Sequence, residues 1–521
     1  MKKVVGILVV LVLLLAVVGV AALALRVADG DEPSSDPGSP PSAVTPTPEA
    51  GATDPPDPAL ADFYSQEADW EDCRGSFLCA TVTVPLDYAE PDGETIDLAL
   101  LKAPASDPDA RVGSMLVNPG GPGAPGTDYA AQSDLVFRDP LLGGFDIVGF
   151  DPRGTGSSSP VDCLTDEELD DYIATDPDPD TADERRAFVG LVQSMGEGCS
   201  ARSGDLAAHV STIEAARDMD VIRAVLGEST LTYFGASYGT KLGATYAELF
   251  PDRVGRFVLD GAVDLSIPPR QLSLEQAEGF ETALRAYVED CFESTDTCFL
   301  GEDVEAGLDR ITEFIDDVDE RPLPTSGDRM LEVGNAFYGI VTPLYVSDYW
   351  YVLSAALQAG FDGDGTALLE LSDLYTSRGP DGYTDNSAEA IYAINCLDDP
   401  YSIPADEVPA AIPEFVAASP TFGEVFAWGL VGCSGLEVES SEEPLAVRGE
   451  GAAPIVVVGT TRDPATPYRW AEALAEQLES GVLLSRDGDG HTGYNSGNDC
   501  VDKAIEDYLI EGAVPEDGLS C

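Results

Sequence analysis

Histidine and lysine are almost missing from this chain. Its 521 residues include two histidines, His209 and His491, and five lysines, Lys2, Lys3, Lys102, Lys241 and Lys503. Basic residues number 27 against 95 acidic ones, a formal net charge of -68. Phosphate contacts need a basic surface, so a nucleic-acid partner is excluded. Two histidines and no CxxC spacing leave nothing for a zinc site. No GxxxxGK[ST] run is present to cradle nucleotide phosphates. No metal and no cofactor is therefore expected. Gly and Pro are numerous but aperiodic, which excludes a collagen-like chain.

One long apolar run opens the sequence. Lys2 and Lys3 precede 22 uncharged residues, Val4 to Leu25, and Arg26 closes the run. Residues 1–26 therefore read as a signal peptide or an N-terminal membrane anchor. The length exceeds the ~7–15 residues of a signal-peptide core and reaches the ~20 needed to span a bilayer. The triplet Ala22-Leu23-Ala24 would serve for cleavage. Either reading sends the body of the protein out of the cytoplasm, and an uncleaved anchor makes the membrane a partner. Residues 27–62 are rich in Pro, Ser, Asp and Gly and read as a disordered linker. Order is expected from 63, near "FYSQEADW".

Ten cysteines suit an oxidising compartment. Sequence alone leaves about 945 pairings open. They nevertheless fall into close couples: Cys73 with Cys79, Cys163 with Cys199, Cys291 with Cys298, Cys396 with Cys433, Cys500 with Cys521. Five local disulfides are expected.

Short β-branched runs end in turn residues along the rest of the chain. "GSMLV" leads into "NPGGPG", "FDIVGF" into "DPRGTGSS", "LTYF" into "GASYGT", "PIVVV" into "GTTRDPATP" and "VLLS" into "RDGDGHTGY". Helical patterns such as "STIEAARDMDVIRAVLG" and "YRWAEALAEQLES" lie between them. This alternation predicts an α/β fold with a mainly parallel central sheet. The rhythm stops between "VLDG" and "PIVVV", where amphipathic stretches predict a large, mainly helical cap. The expected units are 63–266 and 406–521 for the sheet domain and 267–405 for the cap. A monomer is expected.

"GASYGT" places Ser237 between Gly235 and Gly239, after a strand and before a helix. That is the context of a nucleophile elbow. A serine hydroxyl needs a base to take its proton. In such folds the order is Ser, then Asp or Glu, then His, so His491 is the base, while His209 reads as a structural residue at a helix start. The orienting acid should lie between them at a strand end. Asp463 fits best and Asp260 is the runner-up; Asp487 and Asp489 share the histidine's own loop. The oxyanion donors are expected to be the backbone N–H of Tyr238 and of Gly121, in the loop holding Gly120, Gly121 and Gly123.

"LVNPGGPG", "FDIVGFDPRGTGSS", "LTYFGASYGTKLGATYAELFPDRVGRFVLDGAVD", "AINCLDDP", "VVVGTTRDPATP" and "GDGHTGY" together resemble the secreted actinobacterial tripeptidyl aminopeptidases, α/β-hydrolase serine peptidases related to the proline iminopeptidases. The resemblance runs from about residue 65 to 521. It implies Ser237 as nucleophile, Asp463 and His491 as its partners, and release of short N-terminal units, di- or tripeptides, from peptide substrates. Proline iminopeptidases carry His-Gly-Gly-Pro-Gly in the oxyanion loop. This chain has Asn118-Pro119-Gly120-Gly121-Pro122-Gly123, which points away from single-proline release.

The leading reading is an extracytoplasmic serine exopeptidase acting through an acyl-enzyme. A carboxylesterase or lipase-like hydrolase would use the same triad. A third reading, a binding protein on a hydrolase scaffold, does not explain a complete Ser-Asp-His set. An aminopeptidase must also hold a positive amine, and Asp398, Asp399 and Glu389 are the candidates for it. The linker is too short to hold most of the acidic charge, so the surface itself is acidic, as adaptation to salt requires. That reading predicts a melting temperature that climbs strongly between low and molar NaCl; a flat response would leave an ordinary acidic protein.

Overall fold

The computed structural model describes residues 48–295 and 298–521. The apolar run at 1–26 and the linker up to 47 lie outside the described residues. Residues 48–62, expected to belong to the linker, pack on the domain instead. Ala52, Leu60 and Tyr64 are buried. The Glu49 N–H donates to the Gly227 carbonyl at 2.9 Å, and Arg223 Nη1 donates to the Ala52 carbonyl at 2.8 Å. A Pro- and Asp-rich composition hides these few anchors, because one buried leucine and a few backbone bonds suffice to dock a short segment.

The main sheet has ten strands. In chain order they are β1 (Glu71–Cys73), β2 (Phe77–Pro85), β3 (Thr95–Ala103), β4 (Gly113–Asn118), β5 (Phe145–Phe150), β6 (Leu231–Ala236) and β7 (Val254–Asp260). A two-stranded ribbon, β8 (Arg378–Gly379) and β9 (Gly382–Tyr383), belongs to the cap, and β10 (Ile455–Arg462), β11 (Gly481–Asp489) and β12 (Leu519–Ser520) complete the sheet. The order is β1-β2-β3-β5-β4-β6-β7-β10-β11-β12. The β1–β2, β2–β3 and β3–β5 pairs are antiparallel. Every pair from β5 to β12 is parallel.

The central strands are apolar along their whole length because both faces are covered. All six residues of β4 are buried, as are the first six of β10. One hydrophobic cluster, holding Tyr233, Leu242 and Tyr246, fills one side of the sheet. A second, holding Phe137, Phe234, Tyr494 and Tyr508, fills the other.

Register brings the carboxyl ends of the parallel strands level. Asn118 of β4 is opposite Gly235 of β6, Ala236 is opposite Asp260 of β7, and Asp260 is opposite Val458 of β10. Loops leaving these ends therefore converge on one edge, where open α/β sheets place their sites.

The cap covers that edge. It runs through helices Pro269–Ser294, Val304–Glu320, Val333–Val341, Trp350–Phe361, Thr366–Tyr375 and Ser387–Asp398. It does not end at 405, as expected. Helix Val408–Ala418 continues it and shares a buried cluster with Ala277 of the first cap helix. Pro409 does not stop it, since it stands in a first helical turn where no N–H is required, and the helix continues through Pro413 in its interior. Helices Asp166–Ala174 and Ala182–Ser203, each opened by a capping box, join the cap from the sheet domain. All five expected disulfides are present and no cysteine is free.

Candidate active site

Ser237 follows β6 directly and starts helix Tyr238–Leu249. Its backbone has φ 57° and ψ -126°, a region a residue with a Cβ rarely occupies. Its N–H donates to the Asp260 carbonyl at 2.9 Å. The turn is tight enough to demand glycine beside it: a Cβ on Gly235 would lie 2.4 Å from the Gly239 carbonyl oxygen. The strain presents the Ser237 side chain to a cavity of about 1110 Å³ between sheet edge and cap.

His491 follows β11 and lines the same cavity. Its Nδ1 is 2.9 Å from each carboxylate oxygen of Asp463, which stands just after β10 and is 2% exposed. Asp463 is itself pinned. Oδ1 accepts the N–H groups of Ala465 and Thr466, and Oδ2 accepts the Thr466 hydroxyl, each at 2.9 Å. So oriented, the imidazole carries its proton on Nδ1. Its Nε2 is buried without a protein partner among the described residues, which leaves it free to accept a proton. Burial disfavours the imidazolium, but Asp463 outweighs it and holds the pKa above the ordinary histidine value. From the cap, the Tyr345 carbonyl accepts the His491 N–H at 2.8 Å, and the Tyr345 ring meets the imidazole edge-on at 5.4 Å.

Asp260, the runner-up acid, does different work. Its carboxylate accepts the N–H groups of Gly493 at 2.8 Å and Tyr494 at 2.9 Å, shaping the histidine loop from below. Burial pushes its pKa up to about 6. Asp487 and Asp489 both pair with Arg462. His209 pairs with Glu214 at 2.8 Å and does not line the cavity.

The loop after β4 lies against the elbow. Gly120, Gly121 and Gly123 all have positive φ. A Cβ on Gly120 would fall 2.8 Å from Ser237 Cβ and 2.9 Å from the Tyr238 nitrogen, so no other residue fits there. Gly121 lines the cavity beside Ser237. Among the described residues, neither the Gly121 nor the Tyr238 N–H has a protein acceptor. Strained serine, proton acceptor, buried carboxylate and two unused donors are the components of acyl transfer through a tetrahedral oxyanion.

The three acids expected to bind an amine are not in the cavity wall. Asp398 and Asp399 pair with Lys241 at 2.9 and 3.5 Å. Glu389 accepts the N–H groups of Cys163 and Leu164 at 2.7 and 2.8 Å. Among the described residues, the acids that do line it are Glu370 and Asp385, and the wall holds no lysine or arginine. Most of the remaining wall is apolar or aromatic, including Tyr172, Tyr338, Tyr349 and Tyr375. Sequence reasoning missed these residues, because only the fold brings them together. It also missed Thr466, although a hydroxyl three residues after an aspartate is a recognisable turn signal. Away from the cavity, Asp87, His209 and Glu214 have donor atoms within 4.8 Å of one another. The Arg153 guanidinium stands 3.5 Å from Glu214 there, a poor neighbour for a cation.

Comparison with known proteins places these features in a family. Residues 419–521 match the family described as TAP-like protein. The chain is 36% identical over 487 residues to "Serine protease Hip1" of Mycobacterium tuberculosis, covering 88% of this chain and 91% of that protein. It is 37% identical over 501 residues to "Carboxylesterase B" of the same species, covering 91% and 94%. It is 30% identical over 481 residues to "Tripeptidyl aminopeptidase" of Streptomyces coelicolor, covering 87% and 85%. The chain belongs to the TAP-like family of α/β-hydrolases.

Proposed function

We propose that the protein is an extracytoplasmic serine exopeptidase that releases short peptides from the N-termini of its substrates, with Ser237 as nucleophile, His491 as general base and Asp463 as the acid that orients it. The observation that carries this reading is the Asp463–His491 pair facing the Ser237 cavity with Nε2 unoccupied. Ser237 Oγ attacks the scissile carbonyl as Nε2 takes its proton. The oxyanion is held by the N–H groups of Tyr238 and Gly121. The proton passes to the departing amine, and water repeats the sequence on the acyl-enzyme. The five disulfides support an extracytoplasmic location.

The cap supports exopeptidase action, since it walls the cavity and limits how much peptide fits before the scissile bond. Glu370 and Asp385 take the amine-binding role first sought in Asp398, Asp399 and Glu389. Asp385 is half-buried and keeps one oxygen on the Ser387 N–H at 2.9 Å. Burial and neighbouring acids raise the pKa of Glu370, and a bound ammonium would favour its charged form. A relative named tripeptidyl aminopeptidase agrees with this reading. The apolar wall and a relative named carboxylesterase favour esterase action as the second reading.

Ser237→Ala and His491→Ala should each lower kcat by at least about a thousand-fold, whereas His209→Ala should keep most activity. Loss of activity in His209→Ala alone would reassign the base. His491 must be neutral to act, and Asp463 holds its pKa above the ordinary histidine value. The acid limb of kcat/KM should therefore lie above the pH at which a free histidine titrates, and Asp463→Asn should move it downward. A wild-type limb below the ordinary histidine range would contradict the pairing.

Acetylating the N-terminus of a tripeptide amide should cut kcat/KM by roughly ten- to a hundred-fold, the worth of one charge-assisted bond. Glu370→Gln with Asp385→Asn should abolish that discrimination while sparing a small acyl ester. Equal cleavage of free and acetylated peptides would favour the esterase reading.

A further inference from the structure

Asp398 ends a cap helix, Ser387–Asp398, yet its carboxylate reaches into the sheet domain. Oδ1 accepts the Thr212 N–H at 2.8 Å, and Oδ2 accepts the Thr212 hydroxyl. Lys241 Nζ stands 2.9 Å from Oδ2. A hydroxyl has one proton to give, and Thr212 gives it to Asp398. Its oxygen must then accept from the Tyr238 phenol, 2.6 Å away. The direction of the chain is thus set: Tyr238 to Thr212 to Asp398, with the Lys241 ammonium closing it. Tyr238 and Thr212 are 6% and 2% exposed, so these bonds are largely shielded from solvent. Burial disfavours the Lys241 charge, but Asp398 and Asp399 more than offset this and raise its pKa.

Tyr238 is the residue after Ser237. Its N–H is the oxyanion donor in the reading above, on which the following inference rests. The orientation of that N–H follows from the backbone angles of Ser237 and Tyr238, and a phenol tethered at its far end restrains them. We propose that Thr212 and Asp398 are positioning residues for the oxyanion donor: they hold the Tyr238 phenol and so aim the Tyr238 N–H. The anchor belongs to a cap helix whose Ser387, Ile391 and Asn395 line the cavity. The aim of the oxyanion donor is thereby tied to the cap.

The test uses the full chain and a tripeptide amide that wild type cleaves. Tyr238→Phe removes one oxygen and leaves the backbone donor in place. Tyr238→Phe, Thr212→Val and Asp398→Asn should each lower kcat by about ten-fold with KM within two-fold, less than the hundred-fold or more for losing a donor outright. Affinity for a peptidyl aldehyde, whose serine adduct carries the oxyanion, should fall by the same factor. Affinity for the released tripeptide should not change. Tyr238→Phe combined with Asp398→Asn should cost no more than the worse single change, as members of one chain do. If Asp398→Asn does not fold, Tyr238→Phe alone decides. Wild-type kcat with only a lower melting temperature would make the chain a structural clamp and overturn the proposal. Full turnover by Ser237→Ala would instead overturn the nucleophile assignment. A Ser237-dependent enzyme with unchanged kcat in Tyr238→Phe would overturn the positioning role alone.

Discussion

Ser237 occupies a backbone conformation that costs on the order of 1–3 kcal/mol, and the site is arranged around keeping it there. The Asp260 carbonyl accepts its N–H. Gly235 and Gly239 let the chain reverse. Gly120 leaves room for the loop after β4 to touch the elbow. The same contacts aim the side chain at the cavity and bring the Gly121 and Tyr238 N–H groups to one place. In the proposed mechanism, relaxing the serine would remove the nucleophile and both donors together.

Buried carboxylates supply the rest of the scaffold. Asp463 orients His491, Asp260 shapes the loop that carries it, Glu389 ties the cap to the segment at Cys163, and Asp398 ties the cap to Thr212 and Lys241. Each accepts at least two hydrogen bonds, as a buried charge requires. The Tyr345 carbonyl on the His491 N–H adds a further link between cap and triad. The cap is thus a wall fixed to the sheet domain by polar contacts, not only a cover over apolar surface.

The elbow, the histidine and the acid were legible because each is a short local pattern at a strand end, and the Ser-Asp-His order selects one histidine of two. The local cysteine couples were legible for the same reason. The acids that line the cavity were not. Asp398 and Asp399 sit in a motif of the right family and Glu389 lies seven residues before its cysteine, but among 95 acidic residues sequence cannot tell a carboxylate that faces a cavity from one consumed by Lys241 or by backbone N–H groups. Glu370 and Asp385 become visible only when the cap helices are placed. The same limit set the linker at 62 and the cap at 405: proline and acid content mark the exposed average of a segment, while Leu60 and Val408 dock their segments as single buried residues.

The account depends on Ser237 being the activated serine. Reacting the folded protein with a fluorophosphonate and mapping the adduct by peptide mass spectrometry tests this directly. The phosphonyl group should be found on Ser237 alone, and labelling should disappear when His491 is replaced. An adduct on another serine, or undiminished labelling without His491, would contradict it.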